Sequence, residues 1–141
     1  MNTAEHKALA AAAIKAKDRA YAPYSGFHVG AALLCESGTT YIGCNIESAA
    51  YPATICAERT ALTKAVSEGA RKFKAIAVAG SFPDKAGDYC YPCGVCRQML
   101  HEFADEDFIV IMAKTEDDFR IHTWEQLLPY GFGPKDLIKE A

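Results

Sequence analysis

The fold is decided by two apolar runs, Phe-Lys-Ala-Ile-Ala-Val-Ala at residues 73–79 and Phe-Ile-Val-Ile-Met-Ala at residues 108–113. Nearly continuous apolar runs of this length are typical of strands that are buried on both faces of a sheet. Between them, residues 93–104 carry apolar side chains at helical spacing, so we expect a strand–helix–strand unit. These segments predict an α/β protein whose sheet is covered by helices on both sides.

The flanking segments complete the order of elements. The sequence predicts a helix over 3–20 with Thr3 as its N-cap, strands over 27–35 and 40–46, a helix over 56–68 that ends before Gly69, and a short helix opened by the capping box Thr123-Trp124-Glu125-Gln126. One further strand is compatible with the C-terminal part. We expect a mixed sheet in a single domain that spans residues 1–141.

The composition limits the possible partners. The chain has 141 residues with 15 basic and 18 acidic side chains, and its formal net charge is −3. Nucleic-acid-binding domains usually carry a basic stripe, so a nucleic-acid polymer is not the expected partner. No apolar run reaches the roughly 18 residues of a membrane span, and the N-terminal residues resemble no secretory signal. We therefore expect a cytoplasmic protein that binds neither nucleic acid nor membrane.

Six cysteines occur in a chain for which we expect a reducing compartment. They are Cys35, Cys44, Cys56, Cys90, Cys93 and Cys96. Clustered cysteines in such a compartment indicate metal binding or catalysis more often than disulfides. Cys35 and Cys44 fall on predicted strands, and we expect them to be small core residues.

Three of these cysteines lie where two helices are predicted to begin. Cys56-Ala57-Glu58 opens one helix, and Pro92-Cys93-Gly94-Val95-Cys96 opens the next, with one strand between them. Helix N-termini stabilise the thiolates that zinc requires. If both helices begin at the same end of the sheet, the three thiolates meet. Three protein ligands leave the fourth tetrahedral position to water, which is the pattern of a catalytic zinc site.

Two charged residues of the first motif suit that chemistry. Glu58 is placed to take a proton from the zinc-bound water without being a ligand. Residues two apart lie about 200° apart on an ideal helix, so Cys56 and Glu58 share one water only if Cys56 sits at the helix edge. Three thiolates around Zn²⁺ leave an excess negative charge, and we expect Arg59 to donate to the thiolates and offset it.

The cysteine spacing is also compatible with sites that are not catalytic zinc centres. Cys90-Tyr91-Pro92-Cys93 is a second C-x-x-C, so four cysteines could close a structural zinc site, and a redox pair is also compatible. A bacterial-type iron–sulfur cluster fits poorly, because Leu100 occupies the position of a required cysteine. Cys-x-Glu together with Pro-Cys-x-x-Cys matches the pattern of zinc-dependent deaminases, so we favour a catalytic zinc.

Longer stretches match one family in sequence order. They are Tyr-Ser-Gly-Phe-His-Val-Gly-Ala-Ala at 24–32, Asn-Ile-Glu-Ser-Ala-Ala-Tyr at 45–51, Cys-Ala-Glu-Arg-Thr-Ala at 56–61, Pro-Cys-Gly-Val-Cys-Arg-Gln at 92–98 and Leu-Leu-Pro-Tyr-Gly-Phe at 127–132. In these stretches the chain resembles the small homotetrameric zinc-dependent cytidine deaminases. It departs from them in the loop 81–92, which looks longer and carries Cys90, and at Tyr130-Gly131.

The resemblance implies a three-layer α/β/α sandwich and the hydrolytic deamination of cytidine and 2′-deoxycytidine to the uridines, with release of ammonia. It implies one Zn²⁺ per chain on Cys56, Cys93 and Cys96, with Glu58 as the proton shuttle. The further substrate contacts that it implies are Phe27 and the Ala57 backbone on the base, Asn45 and Glu47 on the ribose 3′-hydroxyl, and Ala49, Tyr51 and Phe132 across a subunit interface. A homotetramer with shared pockets is therefore expected.

Three other functions compete with this one. A blasticidin-S-type aminonucleoside deaminase would share both cysteine motifs, but we do not expect Glu47 in it. A nucleic-acid deaminase would need basic or aromatic contacts along a strand. A non-enzymatic zinc module would use Cys90 as its fourth ligand, and Glu58→Gln would then change nothing measurable.

Overall fold

A five-stranded sheet forms the centre of the computed structural model, which describes residues 1–138. Its strands are β1 (His28–Cys35), β2 (Thr40–Cys44), β3 (Phe73–Ser81), β4 (Ile109–Ala113) and β5 (Phe119–Thr123). Their order across the sheet is β2-β1-β3-β4-β5; β3 and β4 run parallel and the other neighbours antiparallel. The sheet is mixed, as predicted. Residues 139–141 of the predicted domain 1–141 lie outside the described residues.

Helices cover both faces of this sheet. They are α1 (Thr3–Ala16), α2 (Ala57–Ser67), α3 (Gly94–His101), α4 (Trp124–Leu127) and α5 (Pro134–Leu137). Alternate strand residues point to opposite faces and separate into two cores. One core packs Ala32, Ala77 and Ile111 beneath α1, and the other packs Leu33, Val78 and Val110 beneath α2, α3 and α4. The predicted three-layer α/β/α architecture is confirmed.

The N-cap of the first helix lies one residue earlier than predicted. Asn2, not Thr3, is the N-cap: its side-chain oxygen accepts from the Glu5 N–H at 2.9 Å, and the Glu5 carboxylate accepts from the Asn2 N–H at 3.2 Å. Asn2 and Glu5 have the three-residue spacing that a capping box needs, which is why Asn2 takes the position. The regular helix ends at Ala16 and continues as a 3₁₀ turn over Lys17–Arg19.

The other boundaries follow the sequence closely. Gly69 lies just past α2 with φ +102°, a conformation that glycine adopts without strain. The capping box at Thr123 is confirmed, since its hydroxyl accepts from the Gln126 N–H at 3.3 Å. The strand predicted over 40–46 ends at Cys44, and the helix predicted over 93–104 covers Gly94–His101. None of the helices within residues 1–138 has the length and apolar character needed to cross a membrane.

The path of the chain brings the starts of α2 and α3 together. After α2 the chain turns at Gly69 and enters β3 at Phe73, so α2 begins near the far end of β3. The chain leaves β3 at that same far end and, after a loop, starts α3. Because β3 separates the two helices in sequence, both helix N-termini lie at one end of the sheet.

Candidate active site

Three cysteine side chains converge at this end of the sheet. Cys56 is the N-cap of α2 and Cys93 the N-cap of α3, both with extended backbone, and Cys96 lies in the first turn of α3. Their sulfur atoms all lie within 4.8 Å of one another. Cys56 thus lies at the edge of the helix. This position is required if the side chains of Cys56 and Glu58 are to reach the same water molecule. The positive ends of two helices face the three sulfurs.

The sulfur geometry fits zinc. Tetrahedral zinc with Zn–S bonds of about 2.3 Å holds two sulfur ligands about 3.8 Å apart. The Sγ atoms of Cys56 and Cys93 are 3.8 Å apart. All six cysteines are free. Cys90 is not a member of the group, so the four-cysteine structural site has no support in this arrangement.

Hydrogen bonds between the thiols, together with one nearby cation, shift the pKa values of Cys56 and Cys96. A hydrogen bond from Cys96 is the main cause that lowers the pKa of Cys56, and the same pairing together with burial raises the pKa of Cys96. The Arg59 guanidinium lies 3.7 Å from the Cys56 sulfur and lowers the pKa of Cys56 further. The Arg59 Nη2 also approaches the Thr54 carbonyl at 3.5 Å. Arg59 therefore lies where its spacing from Cys56 predicts charge compensation.

Glu58 is a buried carboxyl group beside the thiols. It is 3% exposed, and its Oε1 atom has no hydrogen-bond partner. Burial is the main cause that raises the pKa of Glu58 to about 7, and the Cys56 charge raises it as well. A carboxyl group with a pKa near neutrality can both accept and give a proton. An unpartnered buried oxygen is costly to a fold and is typical of a group that meets a reactant.

Asn45 and Glu47 organise the segment that carries Phe27. The Asn45 side chain is largely buried; it accepts from the Val29 N–H at 2.9 Å and donates to the Phe27 carbonyl at 2.8 Å. Glu47 accepts from the Tyr24 N–H at 2.9 Å and from the Ser25 N–H at 3.0 Å. The amide and the carboxylate therefore hold the backbone on both sides of Phe27.

Ser25 is a residue of this network to which the sequence alone assigns no role. Its hydroxyl donates to the second Glu47 oxygen at 2.5 Å and accepts from the Phe27 N–H at 3.0 Å. This hydroxyl is the main cause that lowers the pKa of Glu47. The sequence hints at this role only through the position of Ser25 two residues before Phe27, because its other partner, Glu47, lies 22 residues away.

Phe27 forms one wall of a cleft. Its ring meets Phe82 edge-on at a centroid distance of 5.1 Å, and a cleft of about 420 Å³ opens between Phe27 and the loop 80–91. A Cβ at Gly80 would lie 2.8 Å from the Cys90 sulfur and 3.0 Å from the Phe27 ring, so a larger residue there would displace the Cys90 side chain and crowd Phe27. Cys90, which the second C-x-x-C offers as a possible zinc ligand, lies instead beside Gly80 in this wall.

The remaining predicted contacts lie at the rim or in the core. Tyr51 is 70% and Phe132 59% exposed, and Ala49 is also exposed. Ala57 is fully buried at the start of α2. The exposed aromatic side chains project from the protein surface, whereas contacts within one chain bring the thiols and Glu58 together.

These features define a three-layer α/β protein with a thiolate zinc centre that faces a buried carboxyl group. Residues 3–112 match the family model for the cytidine and deoxycytidylate deaminase zinc-binding region. The chain is 50% identical over 127 residues to a cytidine deaminase of Sporosarcina psychrophila, which covers 90% of either chain. It is 45% identical over 125 residues to a cytidine deaminase of Halalkalibacterium halodurans, which covers 89% of this chain and 92% of the relative.

Solved structures agree with the sequence comparisons. The crystal structure of cytidine deaminase from Burkholderia pseudomallei superposes with a TM-score of 0.81 at 43% identity, over 90% of this chain and 98% of that one. Cytidine deaminase from Mycobacterium tuberculosis gives a TM-score of 0.77 at 34% identity, over 90% of this chain and 96% of that one. The chain belongs to the cytidine and deoxycytidylate deaminase family.

Proposed function

We propose that this protein catalyses the hydrolytic deamination of cytidine and 2′-deoxycytidine to uridine and 2′-deoxyuridine, with release of ammonia. It is an enzyme of pyrimidine salvage that uses one Zn²⁺ per chain, held by Cys56, Cys93 and Cys96. The observation that carries the proposal is Glu58, a buried carboxyl group with an unpartnered oxygen beside three converging thiols. A structural zinc site has no use for such a group.

Glu58 performs the proton transfers of this reaction. Zinc, when bound, activates a water molecule for attack on C4 of the cytosine ring. The Glu58 carboxylate accepts a proton from that water and delivers it to N3 of the ring. Glu58 then accepts the remaining proton of the attacking oxygen, which is now bonded to C4, and passes it to the departing amine. The C4–N bond breaks, the C4=O bond of uridine forms, and ammonia leaves. A pKa of about 7 matches these steps, because each requires the carboxyl group to change its protonation state near neutral pH.

Arg59 and the helix termini stabilise the charges of the centre. Three thiolates carry more negative charge than one Zn²⁺ neutralises. The guanidinium at 3.7 Å from the Cys56 sulfur offsets part of this excess. The N-termini of α2 and α3 add partial positive charge at the same point.

The nucleoside is recognised by its base and by its ribose. Phe27 packs against the base, which the Ala57 backbone also contacts. Asn45 and Glu47 bind the ribose 3′-hydroxyl, a group that both donates and accepts. Their present hydrogen bonds leave one Asn45 amide hydrogen and further lone pairs on Glu47 for the sugar. The Glu47 charge disfavours a phosphate that comes close to it.

The active form is a homotetramer of single-domain chains in the cytoplasm, with pockets shared between subunits. Ala49, Tyr51 and Phe132 reach the nucleoside of a neighbouring subunit. Two observations support this part: Tyr51 and Phe132 are largely exposed, and Tyr24 packs edge-on against Tyr51 at 5.7 Å in the same exposed region. Exposed aromatic clusters mark interaction surfaces. Light scattering during size exclusion tests the assembly, and a fully active monomer would refute the shared pocket.

The reaction is tested by Glu58→Gln, which keeps the size of the side chain and removes its basicity. We expect zinc content near one per chain and a loss of cytidine turnover of at least about 10²-fold, the lower range for a general acid–base group. A zinc chelator should abolish turnover of the unchanged protein. Blasticidin S is the competing substrate, and turnover of it in place of cytidine would move the protein to the other deaminase class. Unchanged turnover in Glu58→Gln would refute the mechanism.

A further inference from the structure

The C-terminal turn that carries Phe132 rests on the ring of His101. His101 is the last residue of α3, and Trp124, the single tryptophan of the chain, is the first residue of α4. The Trp124 indole N–H donates to Nδ1 of His101 at 2.8 Å, and the two rings stack at 6.1 Å with an angle of 18° between their planes. The deamination chemistry described above uses neither residue.

The hydrogen bond from Trp124 fixes the protonation of the imidazole. An indole nitrogen is only a donor, so Nδ1 of His101 must be the unprotonated acceptor. The ring is therefore neutral and carries its proton on Nε2. The Nε2 edge of the ring faces the segment 131–133, because it lies next to Gly131 and Gly133.

Gly131 and Gly133 lie directly on that edge. A Cβ at Gly131 would come 3.0 Å from Nε2 of His101, and a Cβ at Gly133 would come 2.6 Å from Cδ2 and 2.7 Å from Nε2. Neither glycine has a positive φ. A side chain at position 133 would therefore collide with the imidazole, and one at position 131 with the imidazole and with the Leu128 side chain, which lies 2.9 Å from the Cβ position. Backbone conformation is not the reason for glycine at either position.

Phe132 stands between these two glycines and is held on the same side. Its carbonyl accepts from the Gln98 side-chain amide at 2.8 Å, while the Gly133 N–H donates to Asp136 at 2.8 Å. The Phe132 side chain projects outward and is 59% exposed. The backbone on both sides of Phe132 is thus in contact with α3 through Gln98 and His101. These contacts set the direction in which the exposed Phe132 side chain points.

We propose that His101 is a positioning residue for substrate binding: its neutral ring, oriented by Trp124, sets the position from which Phe132 reaches the nucleoside of a neighbouring subunit. The inference rests on the proposed role of Phe132 in that pocket. It adds a residue pair that touches no substrate and acts through the turn 131–133. A group that acts only on binding changes KM and leaves kcat in place.

The test compares His101→Ala, Gly133→Ala and the double variant. Removing the ring lets the turn 131–133 move toward α3, and adding a methyl group at position 133 pushes the turn away from α3. Each single change should therefore raise the KM for cytidine about 3- to 10-fold and leave kcat within about twofold. In the double variant the methyl group enters the space left by the ring. We expect its KM to be no higher than that of His101→Ala. Multiplied single effects would overturn the proposal.

A conservative variant separates the ring edge from the hydrogen bond. His101→Asn keeps an acceptor oxygen near the Nδ1 position but lacks the Nε2 edge. We expect the fluorescence emission of Trp124 to stay close to that of the unchanged protein while KM stays raised. Recovery of KM in this variant would show that the hydrogen bond alone matters, and would overturn the role of the ring edge.

Phe132→Ala distinguishes failure of this inference from failure of the shared pocket. If Phe132→Ala raises KM and His101→Ala does not, the positioning role is wrong and the shared pocket stands. If Phe132→Ala leaves KM unchanged, the substrate role of Phe132 is wrong, and the inference falls with it. Zinc content and light scattering of each variant confirm that the metal centre and the assembly are intact.

Discussion

Gly43→Ala is expected to damage the active site from an edge strand of the sheet. Gly43 lies on β2 beneath the first turn of α2, the helix that begins directly after Cys56 and carries Glu58. A Cβ at this position would lie 2.5 Å from the Ala61 nitrogen and 2.6 Å from the Ala57 carbonyl oxygen. Both atoms are backbone atoms within the helix, so no side-chain rotation can relieve the clash.

The size of the effect follows from these distances. Ordinary van der Waals contact begins at 3.4 Å, and the closest backbone atom lies 2.5 Å from the added Cβ, so the start of α2 must move away from the sheet by about 0.9 Å. Overpacking of this kind costs about 1–3 kcal/mol of stability, which corresponds to a fall in Tm of roughly 3–12 °C in a chain of this size. A shift near 1 Å of Glu58 against the three thiols lowers turnover by about 10²-fold.

The assay measures three quantities on the same preparation: Tm, zinc content and cytidine turnover by loss of absorbance. We expect Tm and kcat to fall together, because one displacement causes both. Gly94→Ala is the matched control for stability. It lies in the first turn of α3, next to Cys93, and a Cβ there meets no atom within 4 Å. Its Tm should stay equal or rise by the helix propensity of alanine over glycine.

Two results would refute this expectation. Normal Tm and kcat in Gly43→Ala would show that α2 does not rest on the β2 backbone as closely as described. A lowered Tm with normal kcat would show that Glu58 keeps its place when the helix moves. The second result would also weaken the claim that the fold, rather than the metal, aligns the carboxyl group.

Three further predictions concern the charged and polar groups of the site. Arg59→Ala removes the cation near the thiolates, so the acidic limb of the pH–rate profile should move to higher pH; an unchanged profile contradicts the charge-compensating role. Burial raises the pKa of Glu58 from 4.5 to about 7. Ionising the buried carboxyl group therefore lowers the free energy of unfolding, by nothing below pH 4.5 and by on the order of 3 kcal/mol above pH 7. Metal-free Glu58→Gln should therefore gain more stability over the unchanged protein at pH 8 than at pH 5, measured by denaturant unfolding. Asn45→Ala should cost about 1–3 kcal/mol by freeing the Phe27 carbonyl and the Val29 N–H; if Asn45 also binds ribose, preference for cytidine over 3′-deoxycytidine should fall.

Hydrophobic patterning was sufficient for the architecture because each layer carries its own periodicity. The runs at 73–79 and 108–113 became the parallel pair β3 and β4. The N-cap of α1 is Asn2 and not the predicted Thr3, because Asn2 and Glu5 have the capping-box spacing. The edge strand β5 corresponds to the one further strand compatible with the C-terminal part; Phe119 and Ile121 alternate with Arg120 and His122, but the run of five residues is too short to predict a strand firmly.

The metal centre was predictable from sequence for a different reason than the pocket wall. Its three cysteines and Glu58 belong to two local motifs at helix starts, and local geometry fixes them once the helices begin at one end of the sheet. The role of Asn45 in holding the backbone of Phe27 and Val29 depends on contacts between residues 16 and 18 positions apart. Pairings of that kind follow from the folded path of the chain, which composition and spacing do not contain.

In the proposed mechanism, the groups that react lie apart from Phe132, the most exposed of the proposed base and ribose contacts that this chain's C-terminal part supplies. The thiols and Glu58 lie at the starts of two helices that pack on the sheet, and Glu58 is only 3% exposed. Phe132 is 59% exposed, and it lies on a turn whose backbone packs against the His101 ring at the end of α3. Displacing α2 should therefore lower kcat, whereas displacing the turn should raise KM. The pair Gly43→Ala and Gly133→Ala tests this division directly, since each adds one methyl group against a neighbour that lies within 3 Å.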